Sequence, residues 1–145
     1  MGTVSTRPRI DLTTAAPDGY HALVAFSQAA GGPLDPGLVA LVQLRVSQVN
    51  GCGYCTAVHA EEARMAGISV EALPEWRTAD AFSAAQRAAL DLAEAVTLIG
   101  DGGVPDPVWD EAARYYTPEE LACLLWTTAA VNAWNRAAIA TRLQP

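Results

Sequence analysis

The sequence predicts an all-α domain, and three observations predict it. Helix-start signals recur: Asp35-Pro36, Ser83-Ala-Ala-Gln86 and Thr117-Pro-Glu-Glu120 each place a capping side chain ahead of an apolar run. Glycines stand where such runs must stop, at Gly31-Gly32, Gly51, Gly67 and Gly100. No pair of alternating segments joined by a tight turn reads as a hairpin, and no internal repeat is present.

Taken in order, residues 1–9 lack an apolar period and are expected as a loose lead-in to a single domain spanning residues 1–145. Met1-Gly-Thr-Val-Ser-Thr6 fits the loose pattern for N-terminal myristoylation, but no basic cluster supplies a second anchor. A helix from Pro17 to Ala30 places Tyr20, Leu23 and Val24 on one stripe. Asp35-Pro36 opens the next, which runs to about Asn50. Leu38, Val39, Leu41, Val42, Leu44, Val46 and Val49 leave it hardly any polar face, so it is expected to be buried on most sides. Its valines make a β-strand the competing reading; length and capping favour helix.

A following helix carries Cys55 to Ala66, and residues 68–81 read as a short helix and a connecting loop. After Ser83, the residues Ala88, Leu90, Leu92, Ala93, Val96 and Ile99 sustain helix as far as Gly100. Gly102, Gly103, Pro105 and Pro107 punctuate a turn, a shorter helix passes through Trp109 to Tyr115, and Thr117 opens the last one.

A chain of 145 residues, 51% hydrophobic and 17% charged, is long enough and apolar enough to bury a core without disulfide staples or a structural metal. Its net charge of -7 disfavours nucleic acid and anionic membrane surfaces as partners, since both are held by clustered Lys and Arg. The start of the chain lacks the order of a secretory signal, and no apolar stretch reaches the length of a membrane span. Three cysteines, two of them close together, suit a reducing compartment, so a cytoplasmic protein is expected.

The chemistry is concentrated in Cys52-Gly-Tyr-Cys55 and His59. Two residues between cysteines let both sulfurs reach disulfide distance when the pair opens a helix. The free N–H groups and the dipole of that helix end stabilise a thiolate. His59 lies four residues after Cys55 and seven after Cys52, which sets all three on one helical face. An imidazole there can take a thiol proton and return it to a departing hydroxide or alkoxide. A zinc site is the competing reading, with Cys52, Cys55 and His59 as three ligands, although no second paired motif follows. Haem attachment is disfavoured because Thr56, not His, follows the second cysteine.

Other residues have plainer readings. Cys123 is expected as a small core residue, and His21 as an ordinary helix histidine. Trp76, Trp109, Trp126 and Trp134 suit core or interface better than a substrate platform. Glu61, Glu62 and Arg64 read as a solvated face. Asn132, Asn135 and Arg136 fall at helical spacing, as a polar contact to a neighbouring helix or subunit or as a solvated stripe.

The run from Leu44 to His59, together with Asn132-Ala-Trp-Asn-Arg136, resembles the AhpD-like, carboxymuconolactone decarboxylase superfamily. The resemblance continues through Phe82-Ser83, the Leu90 helix and Thr117-Pro-Glu-Glu120, and Cys-x-x-Cys-x-x-x-His is its most specific part. It implies an all-helical, AhpD-like subunit that assembles into trimers or hexamers. It also implies a peroxidase that needs no cofactor and reduces hydroperoxides through a cysteine pair recycled by a dithiol or protein reductant. Carried onto this chain, Cys55 attacks the peroxide, Cys52 closes the disulfide and His59 relays the proton, with the order of the two cysteines left open; Cys52, nearer the helix tip, is expected as the more exposed sulfur for the reductant. Two departures weaken the likeness: the family's usual Glu, twelve positions before the first Cys, is Ala40, and the His before the second Cys is Tyr54. Gln43 or Glu62 is left as a partial substitute for that carboxylate. The expected function is therefore a hydroperoxide reductase or thiol-disulfide oxidoreductase of reduced activity; the alternative is a zinc-binding or non-catalytic oligomeric protein of the same fold.

Overall fold

The computed structural model describes Gly2 and residues 5–145. The myristoylation pattern and the first part of the lead-in fall partly on Met1, Thr3 and Val4, outside the described residues. Among the described residues the chain is helical and carries no strand.

The first element, α1 (Leu12–Ala15), is a single turn that periodicity cannot reveal, because four residues do not display a period of 3.6. Asp11 caps it, accepting the Thr13 N–H at 2.9 Å and the Thr13 hydroxyl at 2.6 Å. These bonds hold the Asp11 carboxyl below its ordinary pKa. Helix α2 (Pro17–Ala30) follows, with Pro17 at its first position.

Helix α3 (Pro36–Asn50) is the centre of the domain. Asp35 accepts the Leu38 N–H at 3.1 Å, and Gly51 ends the helix at φ 70°, where an L side chain would be strained. The β-strand reading is thereby excluded. Leu41, Val42, Leu44, Val46 and Ser47 are wholly buried, and the helix packs against three of the helices that follow it in the chain. A helix surrounded in this way has no face to give to water, which explains its missing polar stripe.

Helix α4 (Gly53–Met65) starts at once after Gly51 and Cys52. A 3₁₀ turn over Val70–Glu75 leads towards α5 (Ala84–Thr97), which opens with the reciprocal Ser83–Gln86 bonds of a capping box. This helix ends three residues before Gly100; Leu98 and Ile99, which extend the apolar run in the sequence, are exposed. Helix α6 (Asp106–Tyr115) precedes α7 (Pro118–Thr141), which Thr117 and Glu120 cap reciprocally.

Two polar clusters lock α3 in place. Asn135, on α7 and wholly buried, donates to Ser47 at 3.0 Å and accepts from Asn50 at 2.9 Å. Asn50 also donates to Asn132, which in turn donates to Thr97 at 3.0 Å, so α3, α5 and α7 share one network. The Asn132–Asn135 stripe is thus a helix-to-helix contact. In the second cluster Glu94 accepts from Arg45 at 2.6 Å and from the Trp76 indole at 2.9 Å. Burial pushes the Glu94 carboxyl up, but the Trp76 and Arg45 hydrogen bonds and the charges of Arg45 and Arg77 outweigh it, leaving it below its ordinary pKa.

Candidate functional site

Cys52 occupies the N-cap of α4, and its sulfur accepts the Cys55 N–H at 3.2 Å. The Cys52 N–H donates to the Ser47 carbonyl at 3.1 Å, and the Ser47 hydroxyl is held by Asn135. The buried network therefore reaches the first cysteine through one residue. Cys52 and Cys55 are joined as a disulfide with their Cα atoms 5.3 Å apart, and with Ala138 of α7 they form one small buried cluster. A helix start directly after a left-handed glycine brings the pair to this spacing without distorting the regular helix beyond it.

His59, one turn beyond Cys55, is largely buried. Its Nδ1 pairs with Glu62 Oε2 at 2.8 Å, while half of the Glu62 side chain remains in water. Glu62 lies on the solvated face expected of it, and it is also the carboxylate beside the imidazole. Ala40, at the position where the resemblance implies a Glu, is buried in the hydrophobic core, and the carboxylate beside the imidazole comes from the histidine's own helix. With Nδ1 occupied by Glu62, Nε2 is the nitrogen available to move a proton.

Cys55 and His59 share a groove of about 720 Å³. Its walls are Tyr54 and Val58 of α4, Tyr20 of α2, Trp134 and Ala137 of α7, and the segment from Pro8 to Thr13. That segment is tied down by Arg9, whose backbone N–H donates to the Thr141 carbonyl and whose guanidinium donates to the Ala140 carbonyl, both at 3.0 Å. Residues 8 and 9 of the expected lead-in are thus a wall of the site. Trp134 is anchored by its indole N–H to Ser27 at 2.7 Å and edge-on to Tyr20, with ring centroids 5.5 Å apart. Unlike Trp76, which is buried, Trp134 lines the groove while packing α7 against α2.

Cys52 does not face this groove. It lines a separate hollow of about 360 Å³ beside Gly51 and Gly53. The expectation that all three residues present one common face fails here, because an N-cap residue has left helical geometry and its side chain turns back over the helix end. Both cysteines are buried, Cys52 with 2% and Cys55 with 5% of the residue surface exposed. Cys123 is packed against the core, and His21 stacks edge-on with Tyr20 outside the groove.

Among the described residues no group of three or more His, Cys, Asp and Glu side chains is placed to hold a metal ion. Among the same residues no helix is long and apolar enough to cross a membrane.

Residues 17–95 match the model of the carboxymuconolactone decarboxylase family. The uncharacterized protein YdfG of Bacillus subtilis (strain 168) is 36% identical over 103 residues, which span 69% of this chain and 70% of YdfG. Among solved structures, ATU0492 of Agrobacterium tumefaciens, a protein of unknown function, superposes with a TM-score of 0.90 at 30% identity, over 95% of this chain and 97% of its own. An uncharacterized peroxidase-related protein of Ralstonia eutropha JMP134 with an alkylhydroperoxidase AhpD core gives 0.81 at 23% identity, over 92% and 73%. The apo debrominase Bmp8 gives 0.79 at 26% identity, over 90% and 72%. The AhpD-like fold is therefore shared with a debrominase as well as with uncharacterized proteins.

Proposed function

This chain belongs to the carboxymuconolactone decarboxylase family, and on that premise we propose that it is a dithiol oxidoreductase that reduces hydroperoxides. The observation that carries this reading is the single groove holding Cys55, the proton carrier His59 and an apolar wall. Cys55, as thiolate, attacks one peroxide oxygen; the O–O bond breaks, and the alkoxide leaves with the proton held by His59 Nε2. Cys55 is then a sulfenic acid. The Cys52 sulfur attacks it, water departs, and the disulfide forms, so that one hydroperoxide and two thiols become one alcohol, one water and one disulfide.

The N-cap position supplies the second requirement. The Cys55 N–H directed at the Cys52 sulfur stabilises negative charge on it, which keeps the closing thiol reactive. A dithiol or protein reductant returns the pair to thiols, and a cytoplasmic homo-oligomer, trimeric or hexameric, is the form proposed for the working protein. Reduced protein mixed with one equivalent of cumene hydroperoxide should yield one equivalent of cumyl alcohol and lose two thiols per chain. Failure to form the alcohol at any peroxide concentration would exclude the activity.

A second reading is favoured by the aromatic walls at Tyr20, Tyr54 and Trp134. The same pair could pass two electrons to a halogenated aromatic, giving the arene, hydrogen halide and the disulfide. Release of bromide from a bromopyrrole by the reduced protein separates the two readings.

A further inference from the structure

The groove beside Cys55 has one wall that the long helices do not provide. Residues 8–13 form a strap ahead of α2, and they line the groove together with Tyr20, Tyr54, Val58 and Trp134. The strap is fixed at both ends. At one end the Asp11 carboxylate opens α1 by accepting the Thr13 N–H and hydroxyl. At the other, the Arg9 backbone N–H donates to the Thr141 carbonyl and its guanidinium to the Ala140 carbonyl.

Those two acceptors follow from the way α7 ends. The last carbonyls of a helix have no partner within it and carry the negative end of its dipole. The N–H groups of Arg142 and Leu143 turn back to Ala138 and Ile139, which leaves the carbonyls of Ala140 and Thr141 to Arg9. The last turn of α7 holds no basic residue, and Arg142 at its C-cap lines the separate hollow. Arg9 therefore brings a cation to this helix end from 131 positions away. The charged side chains of the strap are both engaged, Arg9 with Ala140 and Asp11 with Thr13, and its other residues on the groove include Pro8, Ile10 and Leu12. The strap thus offers a ligand an apolar surface.

We propose that Arg9 is a specificity-determining residue: by latching residues 8–13 to the end of α7, it makes the groove select apolar, ring-sized hydroperoxides over hydrogen peroxide. This rests on the hydroperoxide reading above and deepens it by naming the class of oxidant. A ring-bearing oxidant gains affinity by burying apolar surface against the strap and the aromatic walls, whereas hydrogen peroxide has no such surface and needs only Cys55 and His59. Ile10 is 59% exposed, so the core does not hold the strap and its place depends on the two Arg9 bonds. When the strap is docked in only a fraction of the molecules, the apparent affinity for a ligand that needs it falls by that fraction. Arg9 acts on binding through the wall it holds, so its loss should raise the half-saturating concentration and leave the chemical step alone.

Two variants test the latch. Arg9→Pro removes both donors, the N–H and the guanidinium; Arg9→Lys keeps the N–H and a cation. In single-turnover oxidation of the reduced protein, Arg9→Pro should raise the half-saturating concentration of cumene hydroperoxide about tenfold, with the maximal rate and the rate with hydrogen peroxide each within about twofold of the parent. Arg9→Lys should recover at least about a third of the parent's affinity. Equal losses toward the two peroxides, or a lowered maximal rate at an unchanged half-saturating concentration, would overturn the proposal. A second measurement needs no peroxide chemistry: 2-naphthol, a neutral aromatic alcohol, is titrated into the disulfide form and followed at the Trp134 indole N–H by NMR. Arg9→Pro should bind it about tenfold more weakly than the parent, and unchanged affinity would contradict the latch. Ile10→Asp, at an exposed position on the same wall, should weaken naphthol binding in the same sense and decides the matter if Arg9→Pro does not fold. A protein inert to hydroperoxides would refute the proposed function, while a loss of naphthol affinity in these variants would still support the strap as the selector of apolar ligands.

Discussion

Two glutamates sit beside nitrogen partners in this domain, and the contrast between them separates scaffold from chemistry. Glu94 is mostly buried, receives hydrogen bonds from Arg45 and Trp76, and lies 3.4 Å from Arg77. Glu62 is half exposed, and the structure gives it one partner, the Nδ1 of His59. A carboxylate held by several donors in a low-dielectric setting fixes elements relative to one another, because every alternative leaves a buried charge unpaired. A carboxylate in water beside one imidazole contributes little to stability but sets the ring's tautomer while leaving Nε2 free. The same residue type therefore anchors the bundle in one place and orients a proton carrier in the other.

The contrast breaks if substitutions at the two places have similar consequences. The largest effect is expected at the chemical end: His59→Ala should lower the rate of thiol oxidation by cumene hydroperoxide about a hundredfold at neutral pH. Urea unfolding of the same variant should show a stability change below about 1 kcal/mol. Glu94→Ala should behave in the opposite sense. It strands Arg45 and the Trp76 indole in a partly buried site and should cost about 2 kcal/mol, with the oxidation rate of the folded protein within about threefold of the parent. Stopped-flow rates and urea midpoints on both variants give the comparison directly.

Smaller effects sharpen it. Glu62→Gln keeps the shape but removes the charge; oxidation should slow about threefold, and stability should change by less than about 0.5 kcal/mol because the pair is half in water. Titration adds a further distinction. The folded-state pKa of Glu94 lies below its ordinary value of 4.5, so the stability it contributes is complete above that pH and is lost as the pH falls below it. Tyr116 shows the opposite case: burial, with a smaller effect of the Glu120 charge, pushes its hydroxyl up to about 12 from 10.0. Its contribution is present below pH 10.0 and is lost as the pH rises towards 12. Urea midpoints of the parent and of Glu94→Gln should therefore converge below pH 4.5, and those of the parent and Tyr116→Phe should converge above pH 10.0.

What was legible in the sequence divides along a related line. Caps and stops are local: Asp35, Ser83 and Thr117 each bond an N–H within three residues, and Gly51 adopts the left-handed conformation that a helix end needs. The helical order and the central place of α3 could therefore be read from neighbours in the chain. The groove could not. Tyr20, Tyr54, Trp134 and the segment from Pro8 to Thr13 meet only because α2, α4 and α7 pack together, and no spacing records that meeting. The Arg9 bonds to residues 140 and 141 are likewise invisible at a distance of more than a hundred positions.

The site residues themselves were partly legible. Helical spacing placed His59 one turn after Cys55, and the two do share a cavity. The same spacing failed for Cys52, since the N-cap lies outside the helix whose period was being counted. Glu62 lies three residues after His59, a standard helix-pair spacing, and that spacing marks it, with Gln43, as a partial substitute for the carboxylate missing at Ala40; packing, which the spacing does not record, decides between the two.

The central claim is that Cys55, served by His59, is the sulfur that meets the oxidant. Its most direct test is Cys52→Ser, which keeps a good N-cap while removing the thiol that would close the disulfide. Treated with cumene hydroperoxide and dimedone, this variant should accumulate a sulfenic-acid adduct on Cys55, and His59→Ala in the same background should slow the labelling about a hundredfold. An adduct confined to Cys123, or labelling of Cys55 at a rate indifferent to His59, would contradict the account.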